Sequence, residues 1–195
     1  MSDSAISRRR FVAASLALAC VPAWGASGES IWKRLRAGGH VLLMRHASTL
    51  PGLGDPPGFR VDDCATQRNL SEGGRAEARA IGEAMRREKV PIARVYTSPW
   101  CRCRDTATLA FGKADDWEPL SSVFDLPHRE QEFTERVKQR IGGYSTRKPV
   151  GNVVMVTHNV NIAALTQLSV APAEIVVVRP DGCCGLRTVQ RLRLS

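Results

Sequence analysis

At 195 residues the chain has the length of one domain, enough to bury roughly 70% of the surface its unfolded form exposes. Its 43% hydrophobic and 24% charged residues are ordinary for a soluble globular protein and set aside a disordered or fibrous chain. The net charge of +9 favours anionic partners such as phosphorylated small molecules or anionic head groups. With 6% aromatics and no basic run interleaved with them, a nucleic-acid groove is set aside.

The first 25 residues read as an address. Ser7-Arg8-Arg9-Arg10-Phe11-Val12 is a charged start, and Ala13 to Val21 is an apolar stretch too short to span a bilayer. The paired arginines before Phe-Val fit a twin-arginine export signal, with Ala23-Trp24-Gly25 placing cleavage before Ala26. Ala17-Leu18-Ala19-Cys20 is a poor lipoprotein box, so lipidation at Cys20 is the minor option. Export implies a periplasmic or secreted mature protein of residues 26–195 in an oxidising compartment. Of its five cysteines, one disulfide between the 64 and 101 regions is plausible there. Cys101-x-Cys103 and Cys183-Cys184 do not match structural zinc spacing.

In chain order, Ile31 to Ala37 reads as an amphipathic helix ended by Gly38-Gly39, and residues 40–44 as a short buried strand running into Arg45-His46. Taken alone, that pair reads equally as satisfied strand-end residues. Residues 47–70 form a Pro- and Gly-rich loop placed to cover a pocket. Ser71 caps a helix reaching Lys89. Ala93 to Thr97 is a strand, and Ser98-Pro99 opens a helix over about 99–111. Leu120 to Leu126 is a weaker strand, and His128 to Ile141 a charged amphipathic helix. Asn152 to Thr157 is a strong buried strand ending in His158, with Asn159 or Asn161 capping a helix to Leu168. Glu174 to Val178 and Leu186 to Leu192 are the last strands. Alternation of strands with helices predicts an α/β fold, a three-layer α/β/α sandwich with a mostly parallel sheet.

Two strands end alike, in Leu42-Leu43-Met44-Arg45-His46 and Val154-Met155-Val156-Thr157-His158. In a parallel sheet both ends fall on one rim, where α/β proteins bind ligands, and Arg102 starts the helix after another strand on that rim. Buried cations need anionic partners, and these motifs offer no matching carboxylate. A bound dianion is expected to supply the charge, held by arginine forks and by helix N-termini at 98–99 and 159–161. Asn159 is a further phosphate-binding candidate.

Arg45-His46-Ala47-Ser48-Thr49 resembles the Arg-His-Gly-x-Thr signature of the histidine phosphatase superfamily, branch 1 (phosphoglycerate mutase-like). The resemblance continues through Asn69-Leu70-Ser71-x-x-Gly74-x-x-x-Ala78, Tyr96-Thr97-Ser98-Pro99-x-x-Arg102-x-x-x-Thr106-Ala107 and Val156-Thr157-His158, in family order. It implies a phosphohydrolase whose nucleophile is His46. Arg45, Arg102 and His158 would bind the transferring phosphoryl group, and no metal or organic cofactor would be needed. Neighbouring arginines should keep the His46 imidazole neutral, and a protonated His158 would stabilise charge on the equatorial oxygens. Three positions depart from the pattern: Ala47 replaces glycine, Gly52 replaces asparagine, and Asn159 stands where glycine is common. The family's acid has no clear match; Asp125 is the nearest candidate general acid and reads equally as a strand-end cap. The substrate is expected to be a phosphorylated small molecule or envelope component. The competing readings are a phosphoglycerate-type mutase and an inactive anion-binding protein of the same fold.

Overall fold

The computed structural model describes residues 27–144, 150–182 and 185–194. The expected export signal with Cys20, and the Cys183-Cys184 pair, lie outside the described residues. The helices are α1 (Ser27–Ala37), α2 (Glu72–Arg87), α3 (Cys101–Phe111), α4 (Glu130–Gly143) and α5 (Asn159–Thr166). The strands are β1 (Val41–Arg45), β2 (Ile92–Thr97), β3 (Asp115–Asp116), β4 (Asn152–Thr157), β5 (Ile175–Asp181) and β6 (Gly185–Leu192).

They form one sheet in the order β3-β2-β4-β1-β5-β6. Strands β3, β2, β4 and β1 are parallel; β5 pairs antiparallel with β1, and β6 antiparallel with β5 at the sheet edge. Successive strand residues face opposite sides, so the continuous apolar runs of β1 and β4 feed two cores. Leu42, Met44, Val154 and Val156 pack with Ile31, Leu35, Ile81, Met85 and Ala107 of α1, α2 and α3. Val41, Leu43, Val153 and Met155 pack with Val137, Ile141, Ile162 and Leu165 of α4 and α5. The result is the expected three-layer sandwich.

Ser71 caps α2 as predicted, accepting from the Gly74 amide at 3.0 Å. Gly74 lets that helix approach the loop after His46, because a Cβ there would sit 1.8 Å from the Ser48 carbonyl oxygen. Gly82 does the same against α3, where a Cβ would lie 2.1 Å from the Ala110 carbonyl oxygen.

Three expectations are corrected. Residues 120–126 are not a strand: a 3-10 turn over Glu118–Leu120 leads into turns at 123–125. Pro119 has no amide hydrogen for a ladder. The buried Asn161 amide instead binds the Ser121 carbonyl (2.7 Å) and the Val123 N–H (3.4 Å). For the same reason Asn161 is not a cap; α5 follows His158, which makes no side-chain cap bond. Helix α3 begins at Cys101 rather than 99; the Ser98 hydroxyl accepts from the Trp100 amide at 3.3 Å and meets His158 across the sheet at 2.9 Å.

Candidate active site

Arg45 and Thr157 are register partners on the parallel neighbours β1 and β4. The residue after each strand is therefore brought to the same rim, and the His46 amide donates to the Thr157 carbonyl at 2.9 Å. The His46 and His158 rings stand edge to face with centroids 5.5 Å apart. Strand β2 ends beside them: the Ser98 amide donates to the Val156 carbonyl, and Arg102 follows on the first turn of α3. The predicted convergence of Arg45, His46, Arg102 and His158 is present.

His46 is buried, and its Nδ1 lies 2.8 Å from the Ala47 carbonyl oxygen. A carbonyl only accepts, so Nδ1 carries the hydrogen and Nε2 keeps its lone pair. Burial, more than charge, pushes the imidazole down to about 3, with Arg102, Arg45 and Arg68 adding to it. The ring is a neutral base at ordinary pH. The arginines act in the expected direction, but desolvation is the larger cause. Ala47 adopts no positive φ, so glycine is not required there, and its amide donates to the Thr106 hydroxyl at 3.0 Å.

The charge balance differs from expectation. A carboxylate does meet Arg102: Asp55, from the 47–70 loop, takes its Nη1 at 2.8 and 2.9 Å. The pair is fully enclosed, with side-chain exposures of 3% and 0%. Asp55 carries no sequence signal, because it sits 47 residues from Arg102 in a loop without periodicity. The unbalanced cations are Arg45 and a third guanidinium, Arg68. Arg45 Nη1 donates to the Val170 carbonyl at 2.6 Å. Arg68 Nε donates to the Gly54 carbonyl at 2.7 Å, and its Nη1 to the Thr49 hydroxyl. Among the described residues no carboxylate lies within ion-pair distance of either. Burial, then mutual repulsion, holds both guanidinium groups below their ordinary range. Nε of Arg45 and Nε of Arg102 are buried and make no hydrogen bond among the described residues. These are donors and positive charge in a low-dielectric cleft, the composition that captures an oxyanion.

His158 is buried, with Nε2 2.9 Å from the Ser98 hydroxyl, 3.6 Å from Cys103 Sγ, and Trp100 edge-on at 5.7 Å. Burial first, then His46 and the arginines, hold its pKa well below the ordinary value, which favours the neutral ring over the protonated one expected from the sequence. Cys103 is a buried thiol pushed up to about 12 by desolvation and stays protonated. Cys64 and Cys101 form the disulfide expected between those regions, tying the loop to the first residue of α3.

Asp125 sits in the turn after Leu120, close enough to Arg68 to act on it electrostatically, with Oδ2 buried and without a hydrogen-bond partner among the described residues. Asn159 Oδ1 accepts from the Val170 amide at 2.7 Å, which steadies the residue whose carbonyl holds Arg45. Its carbonyl oxygen is thus committed to the 169–170 loop. Sequence reasoning gives no role to Asp55 or Arg68, and it reads Ser98 as a helix cap rather than as a partner of His158. Ser98 lies inside one of the quoted motifs, and Arg68 immediately precedes another. A hydroxyl and a cation beside such motifs are the available signals.

Residues 41–126 match the family model of the histidine phosphatase superfamily (branch 1). No curated protein sequence matches the chain. Among solved structures, the protein histidine phosphatase SixA complexed with tungstate superposes with a TM-score of 0.58 at 17% identity, over 78% of this chain and 96% of that one. Phosphoserine phosphatase from Entamoeba histolytica, in complex with 3-phosphoglyceric acid, gives 0.55 at 12% identity over 80% and 97%. TTHB049 from Thermus thermophilus gives 0.50 at 20% identity over 80% and 99%. At such identities the likeness is one of fold. The family match falls on the segment that supplies Arg45, His46, Asp55, Arg68 and Arg102, so over residues 41–126 the chain is similar to the histidine phosphatase superfamily (branch 1), and its fold is that of the phosphatases it superposes on.

Proposed function

We propose that this protein is a phosphatase that hydrolyses a phosphomonoester or phosphoanhydride through a phosphohistidine on His46. The observation that carries the reading is the His46 ring itself. It is neutral, fixed by Ala47 with Nε2 free, and buried among three guanidinium groups. In the first step Nε2 attacks phosphorus in line and the bond from phosphorus to the leaving oxygen breaks. Arg45, Arg68 and Arg102 neutralise charge on the equatorial oxygens, and His158, oriented by Ser98, faces the same group. In the second step water attacks the phosphohistidine, inorganic phosphate leaves, and His46 returns to its neutral form.

Asp125 is the candidate proton donor to the leaving oxygen. Its unpartnered buried Oδ2 and its nearness to Arg68 support that role. The relatives act, by their names, on a protein phosphohistidine and on phosphoserine, which supports a phosphorylated small molecule or side chain as substrate here. The twin-arginine-type stretch at 8–10 supports export, and with it a phosphorylated component of the periplasm or cell envelope as substrate. The Cys64–Cys101 disulfide suits such an oxidising compartment.

The test is turnover of p-nitrophenyl phosphate by the wild type and by His46→Ala, followed by a panel of envelope and nucleotide phosphates. The reading expects activity that vanishes in the variant. Tight binding of phosphate without turnover would instead leave an anion-binding protein, and transfer to a second substrate hydroxyl rather than to water would leave a mutase.

A further inference from the structure

We infer that Asp55 is a positioning residue for phosphoryl transfer, a carboxylate delivered by the 47–70 loop to set the orientation of Arg102. The inference rests on the phosphoryl-transfer reading of the site. Both Asp55 oxygens are saturated. Oδ1 accepts from Arg102 Nη1 at 2.8 Å and from the Arg68 amide at 2.8 Å. Oδ2 accepts from Arg102 Nη1 at 2.9 Å and from Trp100 Nε1 at 3.1 Å. A buried carboxylate so engaged has no lone pair left for acid–base work, which separates it from Asp125.

What it does is geometric. A guanidinium offers a side edge, Nε with Nη2, and an end edge, Nη1 with Nη2. By taking Nη1, Asp55 leaves the side edge, and Nε there is buried with no hydrogen-bond partner among the described residues. A phosphoryl group at His46 would then be met by a planar fork already fixed in place, so no rotamer freedom is lost on binding.

The same short segment sets a second cation. The carbonyl of Gly54, the residue before Asp55, receives Arg68 Nε. The loop is fastened where it must act, by the Cys64–Cys101 disulfide and by Gln67 Oε1 accepting from the Cys101 amide at 3.0 Å. Trp100 closes the circuit, since its ring packs against His158 while its N–H holds Asp55. Carboxylate, loop and α3 thus form one unit that aims two arginines.

The experiment compares wild type, Asp55→Asn, Arg102→Lys and the double variant, reading kcat/KM on p-nitrophenyl phosphate and the inhibition constant for tungstate. Asp55→Asn is expected to lower kcat/KM and weaken tungstate inhibition, each by about 100-fold, because misplacement by about an ångström costs that much. In the Arg102→Lys background the same change is expected to cost less than about threefold, since coupled groups are non-additive. Equal losses in both backgrounds, or a folded Asp55→Asn protein with unaltered tungstate inhibition, would overturn the proposal. Should Asp55→Asn not fold, Trp100→Phe removes one restraint on Asp55 while keeping a ring against His158. It is expected to weaken tungstate about fivefold, and no weakening would overturn the proposal. A wild type that neither turns over the aryl phosphate nor binds tungstate would instead remove the phosphoryl-transfer reading.

Discussion

Arg45 and Thr157 are paired across two parallel strands, and that one register fixes the distance between the two histidines that follow them. A slip of one residue would turn one ring to the other face of the sheet. The 5.5 Å between centroids is therefore a property of the β1–β4 pairing rather than of any loop. The loop contributes something else, the anion that meets Arg102.

The state of His46 gives the first prediction. Its folded pKa, about 3, lies below the ordinary value for histidine, so the unfolded chain binds this proton more readily than the folded one. Stability is then unaffected by this group above about pH 7 and falls as pH drops from about 6.5 toward 3, by about 2 kcal/mol between pH 8 and pH 5. His158 is lowered by the same cause and acts in the same direction. Urea unfolding of wild type and His46→Gln at pH 8 and pH 5 should show a smaller acid loss in the variant. An equal loss in both would count against a buried, neutral His46.

Arg68 is the second prediction. Among the described residues it has no carboxylate at ion-pair distance, and it faces the same cleft as Arg102, so it should contribute to the phosphoryl site directly. Arg68→Gln should lower kcat/KM by about 100-fold, the usual cost of removing one donor aimed at developing charge. Steady-state kinetics on an aryl phosphate decides this, and an unaffected rate constant would exclude Arg68 from the site.

The disulfide is the third. Cys64 and Cys101 enclose a separation of 37 residues, and a cross-link of that length stabilises by about 4 kcal/mol on a chain-entropy basis. Cys64→Ser/Cys101→Ser should lower Tm by several degrees. It should also raise KM, because the same bond fastens the loop carrying Asp55. Thermal unfolding and kinetics under oxidising and reducing conditions check both effects. Reduction that leaves KM unchanged would separate the loop from substrate binding.

Much of the fold and site is legible in the residues themselves. The strands β1 and β4 announce themselves as continuous apolar runs, and their shared ending in histidine needs only a parallel sheet to become a site. Ser71 as cap follows from local chemistry. The rest depends on pairings that local patterns do not encode. Asp55 meets Arg102 across 47 residues, from a stretch whose prolines and glycines have no period. The apolar residues of 120–126 suggest a strand, but Pro119 and the buried Asn161 amide settle the backbone into turns. Ser98 resembles a helix cap, and its hydroxyl does accept from the Trp100 amide at 3.3 Å, but its shorter contact is with His158 across the sheet, a pairing that no local pattern encodes.

The central claim, that His46 carries the phosphoryl group, is tested most directly by trapping it. The wild-type protein would be mixed with an aryl phosphate, quenched in alkali where phosphohistidine survives, and mapped by mass spectrometry, with His46→Ala alongside. The account predicts phosphate on His46, absent in the variant, together with a loss of turnover of roughly 1,000-fold or more. Turnover that persists in His46→Ala, or phosphate found on another residue, would contradict it.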